Sequence, residues 1–143
     1  MPYTELSSFL ESNSGTRFSG QSELWLDPLG NTVELSACTL KIGVDRIEYT
    51  WVYENEEQSG ILVIGENSIH WKDTWHQEDR VECKFLENTW GIFDVEYSYP
   101  APPGPDWGWR IKLSQRPDQS IILQMTNVAP WGEEGRAVRM TFS

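Results

Sequence analysis

YPAPPGPDWGWRIKL, residues 99–113, sets the fold of this chain. Four prolines and a glycine precede a run in which Trp107, Trp109, Ile111 and Leu113 alternate with Gly108, Arg110 and Lys112. Proline fixes φ and removes a donor, so the first half is a stiff corner. Period-two alternation makes the second half a strand with one apolar, ring-bearing face and one polar face. A rigid corner feeding such a strand is what an antiparallel barrel with an aromatic interior needs.

The same alternation recurs on both sides. Ile47, Tyr49, Trp51 and Tyr53 oppose Arg46, Glu48 and Thr50, while Phe93, Val95, Tyr97 and Tyr99 oppose Asp94, Glu96 and Ser98. Val81, Cys83 and Phe85 follow it, as do Val138, Met140 and Phe142. Turn residues separate the runs at Asp27–Asn31, Gly43–Asp45, Glu54–Gly60, Gly65–Asn67, Gln77–Asp79, Glu87–Asn88, Pro100–Pro105, Gln115–Asp118 and Ala129–Gly135. Ten strands are expected, over 20–27, 32–42, 46–53, 58–64, 68–75, 80–86, 90–99, 107–114, 119–128 and 136–142. Connections this short make neighbouring strands antiparallel, since a parallel pair needs a crossover of a dozen or more residues. A barrel or a sandwich would bury one face of such a meander, and the barrel is favoured. Before it, Thr4–Asn13 reads as one short helix: Thr4 is an N-cap, Leu6, Phe9 and Leu10 share a face, and Gly15 is a stop.

At 143 residues the expectation is a single domain spanning 1–143. A net charge of -11 repels polyphosphates and anionic lipid, so neither nucleic acid nor a membrane is an expected partner. No 18-residue apolar run is present, and the first fifteen residues lack the basic and apolar segments of a secretory leader, so a cytoplasmic location is expected. Cys38 and Cys83 lie in alternating segments without metal-ligand spacing and are expected as buried free thiols. No cofactor, no metal and no catalytic motif is expected: there is no GxSxG, HExxH or GxxxxGK. Asp94 and Glu96 lie two apart on a face that reads as solvent-exposed. Oligomeric state is left open.

Phe18-Ser19-Gly20-Gln21-Ser22-Glu23-Leu24-Trp25, with a glycine and a tryptophan opening the first strand after a short helix, resembles the start of calycin-type barrels, the lipocalins and fatty-acid-binding proteins. The spacing departs from Gly-x-Trp, because Trp25 stands five residues after Gly20. The resemblance implies an arginine of a late strand packed across the tryptophan, with Arg136 and Arg139 both available, and a small apolar ligand in the barrel. Haem-binding barrels of similar plan need an inward histidine. Alternation puts His70 and His76 on the polar face with Lys72 and Thr74, unless a bulge swaps the faces.

Eight tryptophans make the interior unusual. The residues expected to line a ligand are Tyr49, Trp51, Trp71, Tyr97, Trp107, Trp109 and Met125, with Asp73 and Arg110 as orienting polar groups, although strict alternation turns Arg110 outward. Ring N–H and O–H groups need buried partners that a ligand or water can supply, but the rings can equally fill the barrel themselves. Asp73, flanked by Trp71 and Trp75, needs a hydrogen-bonding or cationic partner, with Arg110 and Arg136 the candidates. The main reading is non-catalytic binding of a small apolar or aromatic molecule. Its rivals are an enzyme using Asp73 with a tyrosine, and an interaction module displaying Trp25, Trp90 or Trp131, the last as lid or plug. A cavity above about 300 Å³ favours a binder, and a filled interior favours plain packing.

Overall fold

A computed structural model describes residues 4–27, 30–77, 79–87 and 90–143, with Thr4 described as backbone alone. Helix α1 (Thr4–Asn13) leads into β1 (Arg17–Leu24), β2 (Glu34–Ile42), β3 (Arg46–Tyr53), β4 (Glu56–Ile64) and β5 (Ser68–Asp73). The chain continues through β6 (Val81–Phe85), β7 (Phe93–Tyr99), β8 (Trp107–Gln115), β9 (Ile121–Val128) and β10 (Glu134–Phe142). Each strand pairs antiparallel with its neighbour in sequence, and β10 pairs with β1 to close a ten-stranded barrel. The expected all-β meander with a short N-terminal helix is therefore the fold, and closure rather than a sandwich is how it buries its apolar face.

Several boundaries differ from expectation, three of them for identifiable local reasons. β1 begins earlier, at Arg17, because Arg17 already faces Lys41 of β2. β4 begins at Glu56, since Glu54 and Asn55 both take left-handed φ, 49° and 66°, and close the β3–β4 hairpin in two residues. β5 stops at Asp73, whose carbonyl accepts hydrogen bonds from the amides of His76 and Gln77, so the chain curls into a turn there. The Thr4 cap and the turn positions Pro28, Leu29, Glu78 and Asn88 lie outside the described residues and side chains.

Gly20 makes closure possible. It pairs with both Cys38 and Phe142, and a Cβ there would overlap the Thr141 carbonyl of β10. One residue past β1, the amide of Trp25 still bonds to the Ala137 carbonyl, and its ring lies 4.6 Å from the Arg136 guanidinium and 5.7 Å from that of Arg139. Both arginines therefore cover this tryptophan, which is buried at 6 % exposure. A display role for Trp25 is excluded by that burial.

Up-and-down topology gives the barrel two unlike ends. The loops after β2, β4, β6 and β8 share one end with α1, where Leu6, Phe9 and Leu10 pack on an aliphatic core that includes Ile42, Ile47, Ile69 and Leu113. The loops after β1, β3, β5, β7 and β9 share the other, and there the interior turns aromatic: Trp51, Trp71, Tyr97 and Trp109. No helix is long and apolar enough to cross a membrane among the described residues.

Candidate functional site

Asp73 lies at the base of the aromatic end. Its register partner on β4 is Gly60, whose partner on β3 is Tyr49. Because Gly60 has no side chain, the Tyr49 phenol crosses the intervening strand, and a Cβ at Gly60 would collide with that ring. Tyr49 Oη donates to Asp73 Oδ2 at 2.5 Å, Trp51 Nε1 donates to the same oxygen at 3.3 Å, and the Trp75 amide donates to Oδ1 at 2.8 Å. Trp71 Nε1 in turn donates to Tyr49 Oη at 2.9 Å. A buried carboxylate is thus satisfied by three neutral donors. Burial first, then the Asp73 charge, pushes the Tyr49 phenol well above its ordinary value, so Tyr49 stays a proton donor.

The expected ionic partners of Asp73 are elsewhere. Arg110 is on the outer face, as alternation required, and its guanidinium bridges Asp94 at 2.7 Å and Glu134 at 2.8 Å. Arg110 is therefore no orienting group for a ligand beside Asp73. The Asp94 carboxylate is fully buried beneath it, which corrects the expectation of a solvent-exposed Asp94. Arg136 donates to the Gly30 carbonyl at 3.0 Å.

Tyr49, Trp51, Trp71, Asp73 and Met125 are each no more than 1 % exposed. The middle of the barrel is therefore packed by these side chains. Trp51 and Trp71 tie this middle to a connected layer of rings toward the barrel end. Trp71 and Trp109 stack at 5.9 Å and 10°, Tyr97 leans on Trp71 at 5.9 Å, and Trp75 meets Trp51 edge-on at 5.3 Å. Trp107 is outside this layer, at the rim, with Trp131 edge-on at 5.7 Å. Trp131 is 70 % exposed and its Nε1 donates to Glu133 Oε2, so it stands over Trp107 instead of plugging the end.

His76 is the residue that alternation misplaced. Because β5 ends at Asp73, the turn swings the imidazole inward among Trp71, Trp75 and Trp109, at centroid distances of 5.3, 5.0 and 4.9 Å. Burial lowers its pKa below the ordinary 6.5, with the Asp73 charge pulling the other way. His70 keeps the outward position, 3.8 Å from Glu82. His76 Nε2, Gln77 Oε1 and Trp109 Nε1 are buried without a hydrogen-bond partner. The signal that would have found His76 is the Asp73-Thr74-Trp75-His76 sequence itself, a turn-forming start that breaks the period.

A groove in the barrel wall adjoins this layer at Tyr97. β6 and β7 share the register pairs Lys84↔Glu96 and Phe85↔Val95, continued by the Leu86 amide bonding to the Asp94 carbonyl, although β6 reaches back to Val81 and β7 runs on to Tyr99. The unpaired stretch borders a groove of about 770 Å³ lined by Val81, Glu82, Tyr97, Ser98, Tyr99 and Pro100, among others. Tyr97 belongs both to this groove and to the ring layer; Tyr99 is tied down through its hydroxyl, which donates to Asn127 at 2.5 Å. Cys38 and Cys83 are free and buried. Among the described residues no group of three acidic, histidine or cysteine side chains could hold a metal. No protein-family model matches the chain, and no curated protein is detectably similar to it.

Proposed function

We propose that the protein is a non-catalytic binder of a small aromatic or apolar molecule, held at the aromatic end of a calycin-like barrel, against Tyr97 and Trp109, and admitted between β6 and β7. The observation that carries this reading is the pairing of an incompletely zipped strand pair with Trp109 Nε1, a buried donor on a residue only 8 % exposed that has no protein partner. Buried donors are normally satisfied, and a bound molecule with one acceptor would satisfy this one. The packed middle moves the expected ligand away from Tyr49, Trp51, Trp71, Asp73 and Met125, which become the floor beneath Trp109 and Tyr97. A calycin relationship is supported by the closed barrel, the capping helix and the arginines over Trp25. Two unpaired thiols fit a reducing, cytoplasmic setting.

Titration with a panel of fatty acids and planar aromatic dyes, followed by tryptophan emission, tests the proposal. At least one aromatic probe should give a saturable response at one site per chain. Trp109→Phe, which keeps a ring and removes the donor, should weaken that probe about tenfold, the effect of losing one hydrogen bond to a buried partner. Silence across the panel would remove the proposal.

A further inference from the structure

The outer face of β1–β5 carries a second feature, separate from the aromatic end. Cross-strand register aligns Thr39, Thr50 and Ser59 in one row, with Thr74, whose amide bonds to the Ser59 carbonyl, at its end. The adjacent row is Arg17, Lys41, Glu48, Ile61 and Lys72. Short hydroxyl side chains form a floor and the long ones a wall, and the result is a groove of about 600 Å³ that Asp79 and Arg80 close at the β5 side.

Its charge is anomalous. The chain has 22 acidic and 11 basic residues. Arg46, Arg110 and Arg139 are paired with carboxylates, Lys112 sits over the Trp90 ring, and Arg136 is held by Gly30 and Trp25. Among the described residues that leaves Arg17, Lys41, Lys72, Arg80, Lys84 and Arg116 without an ion pair, and the first four line this one groove. With two acids for every base, unpaired cations are not expected to collect by chance. Arg17 and Lys41 are at one end, Lys72 and Arg80 at the other, and Glu48 is between them. Lys41 and Lys72 are three strand spacings apart, about 14 Å.

We infer that this groove binds a short ligand bearing two oxyanion groups joined by a neutral, hydroxyl-rich span, the chemistry of a sulfated or phosphorylated oligosaccharide. The end cations take the oxyanions, while the threonine and serine hydroxyls and Glu48 exchange hydrogen bonds with the span. The acidic remainder of the surface repels longer polyanions, which limits the ligand to the length of the groove.

Calorimetric titration at low salt tests this with a sulfated tetrasaccharide, its desulfated counterpart and inorganic sulfate. The sulfated tetrasaccharide should bind at one site, the desulfated one at least tenfold more weakly, and sulfate at equal sulfate concentration more weakly still. K41E/K72E should lose at least tenfold in affinity, whereas K84E/R116E, which changes net charge equally but outside the groove, should bind like the unaltered protein. Circular dichroism verifies folding, and K41Q/K72Q replaces the charge reversal if that variant does not fold. Equal losses in the two double variants, binding by sulfate alone as strong as by the tetrasaccharide, or no binding of the tetrasaccharide would each overturn the inference.

Discussion

At Gly60 a single methyl group would be enough to unseat the buried network, because a Cβ there meets the Tyr49 ring on its way to Asp73. Gly60→Ala is therefore expected to destabilise the protein by about 1–3 kcal/mol through overpacking, read as a lower denaturant midpoint. Tyr49→Phe removes one donor from the buried Asp73 carboxylate and leaves Trp71 Nε1 without its acceptor, and should cost about 2–4 kcal/mol in the same measurement. His76 gives a pH signature. Its folded pKa is depressed by burial, so the stability it contributes is present above pH 6.5 and is lost as pH falls below that value toward the folded pKa. Thermal unfolding from pH 7.5 to 5 should show this decline, and His76→Phe should flatten it. The inward position of Asp73 was legible from alternation. Its partners were not, because the sequence pattern does not show that a glycine on one strand lets a tyrosine reach two strands away. Arg110 shows the converse: strict alternation placed it outside, where it bridges Asp94 and Glu134.

The strands themselves were legible as elements. All ten alternating runs, including the one after the proline-rich corner at 100–106, form strands, because ring and β-branched residues at period two have one good way to bury a face. Ends were less legible: the two-residue turn at Glu54–Asn55 needs left-handed φ at both positions, which neither glutamate nor asparagine announces as clearly as glycine. The weak seam between β6 and β7 left no sequence signal either, since both segments alternate normally and the defect is in their pairing. That seam has a dynamic consequence. Backbone groups without a cross-strand partner exchange readily, so hydrogen exchange followed by NMR should show the β6–β7 seam opening with less free energy than the β8–β9 ladder, which is paired from Gly108↔Val128 to Gln115↔Ile121. Equal protection on both sides would mean that the window is closed in solution. Trp90 and Trp131 also separate at this scale. One precedes β7 and the other follows β9, so they are at opposite ends of the barrel and do not form one docking patch.

For the whole molecule, closure follows from ten strands with a single apolar face, but the β1–β10 contact that accomplishes it joins the two extremes of the chain and depends on Gly20. The closed barrel also predicts alkaline sensitivity. Burial pushes the Cys38 and Cys83 thiols, and the Tyr97 phenol, each up to about 12. These groups are neutral when protonated and hold their protons more tightly when folded. The stability they contribute is full below the unfolded values, 9.0 for the thiols and 10.0 for the phenol, and declines as pH rises from there toward about 12. Melting temperature should accordingly fall above pH 9, and a thiol reagent at pH 8 should label neither cysteine until the protein unfolds. What binds at the aromatic end is tested most directly by the tryptophan indole N–H signals in a two-dimensional NMR spectrum, recorded while a planar aromatic probe is added. The Trp109 and Trp71 signals should shift saturably together while Trp90, 68 % exposed at the helix end, stays still. Shifts confined to Trp90 and Trp131, or no shift at all, would contradict a ligand held on the ring layer.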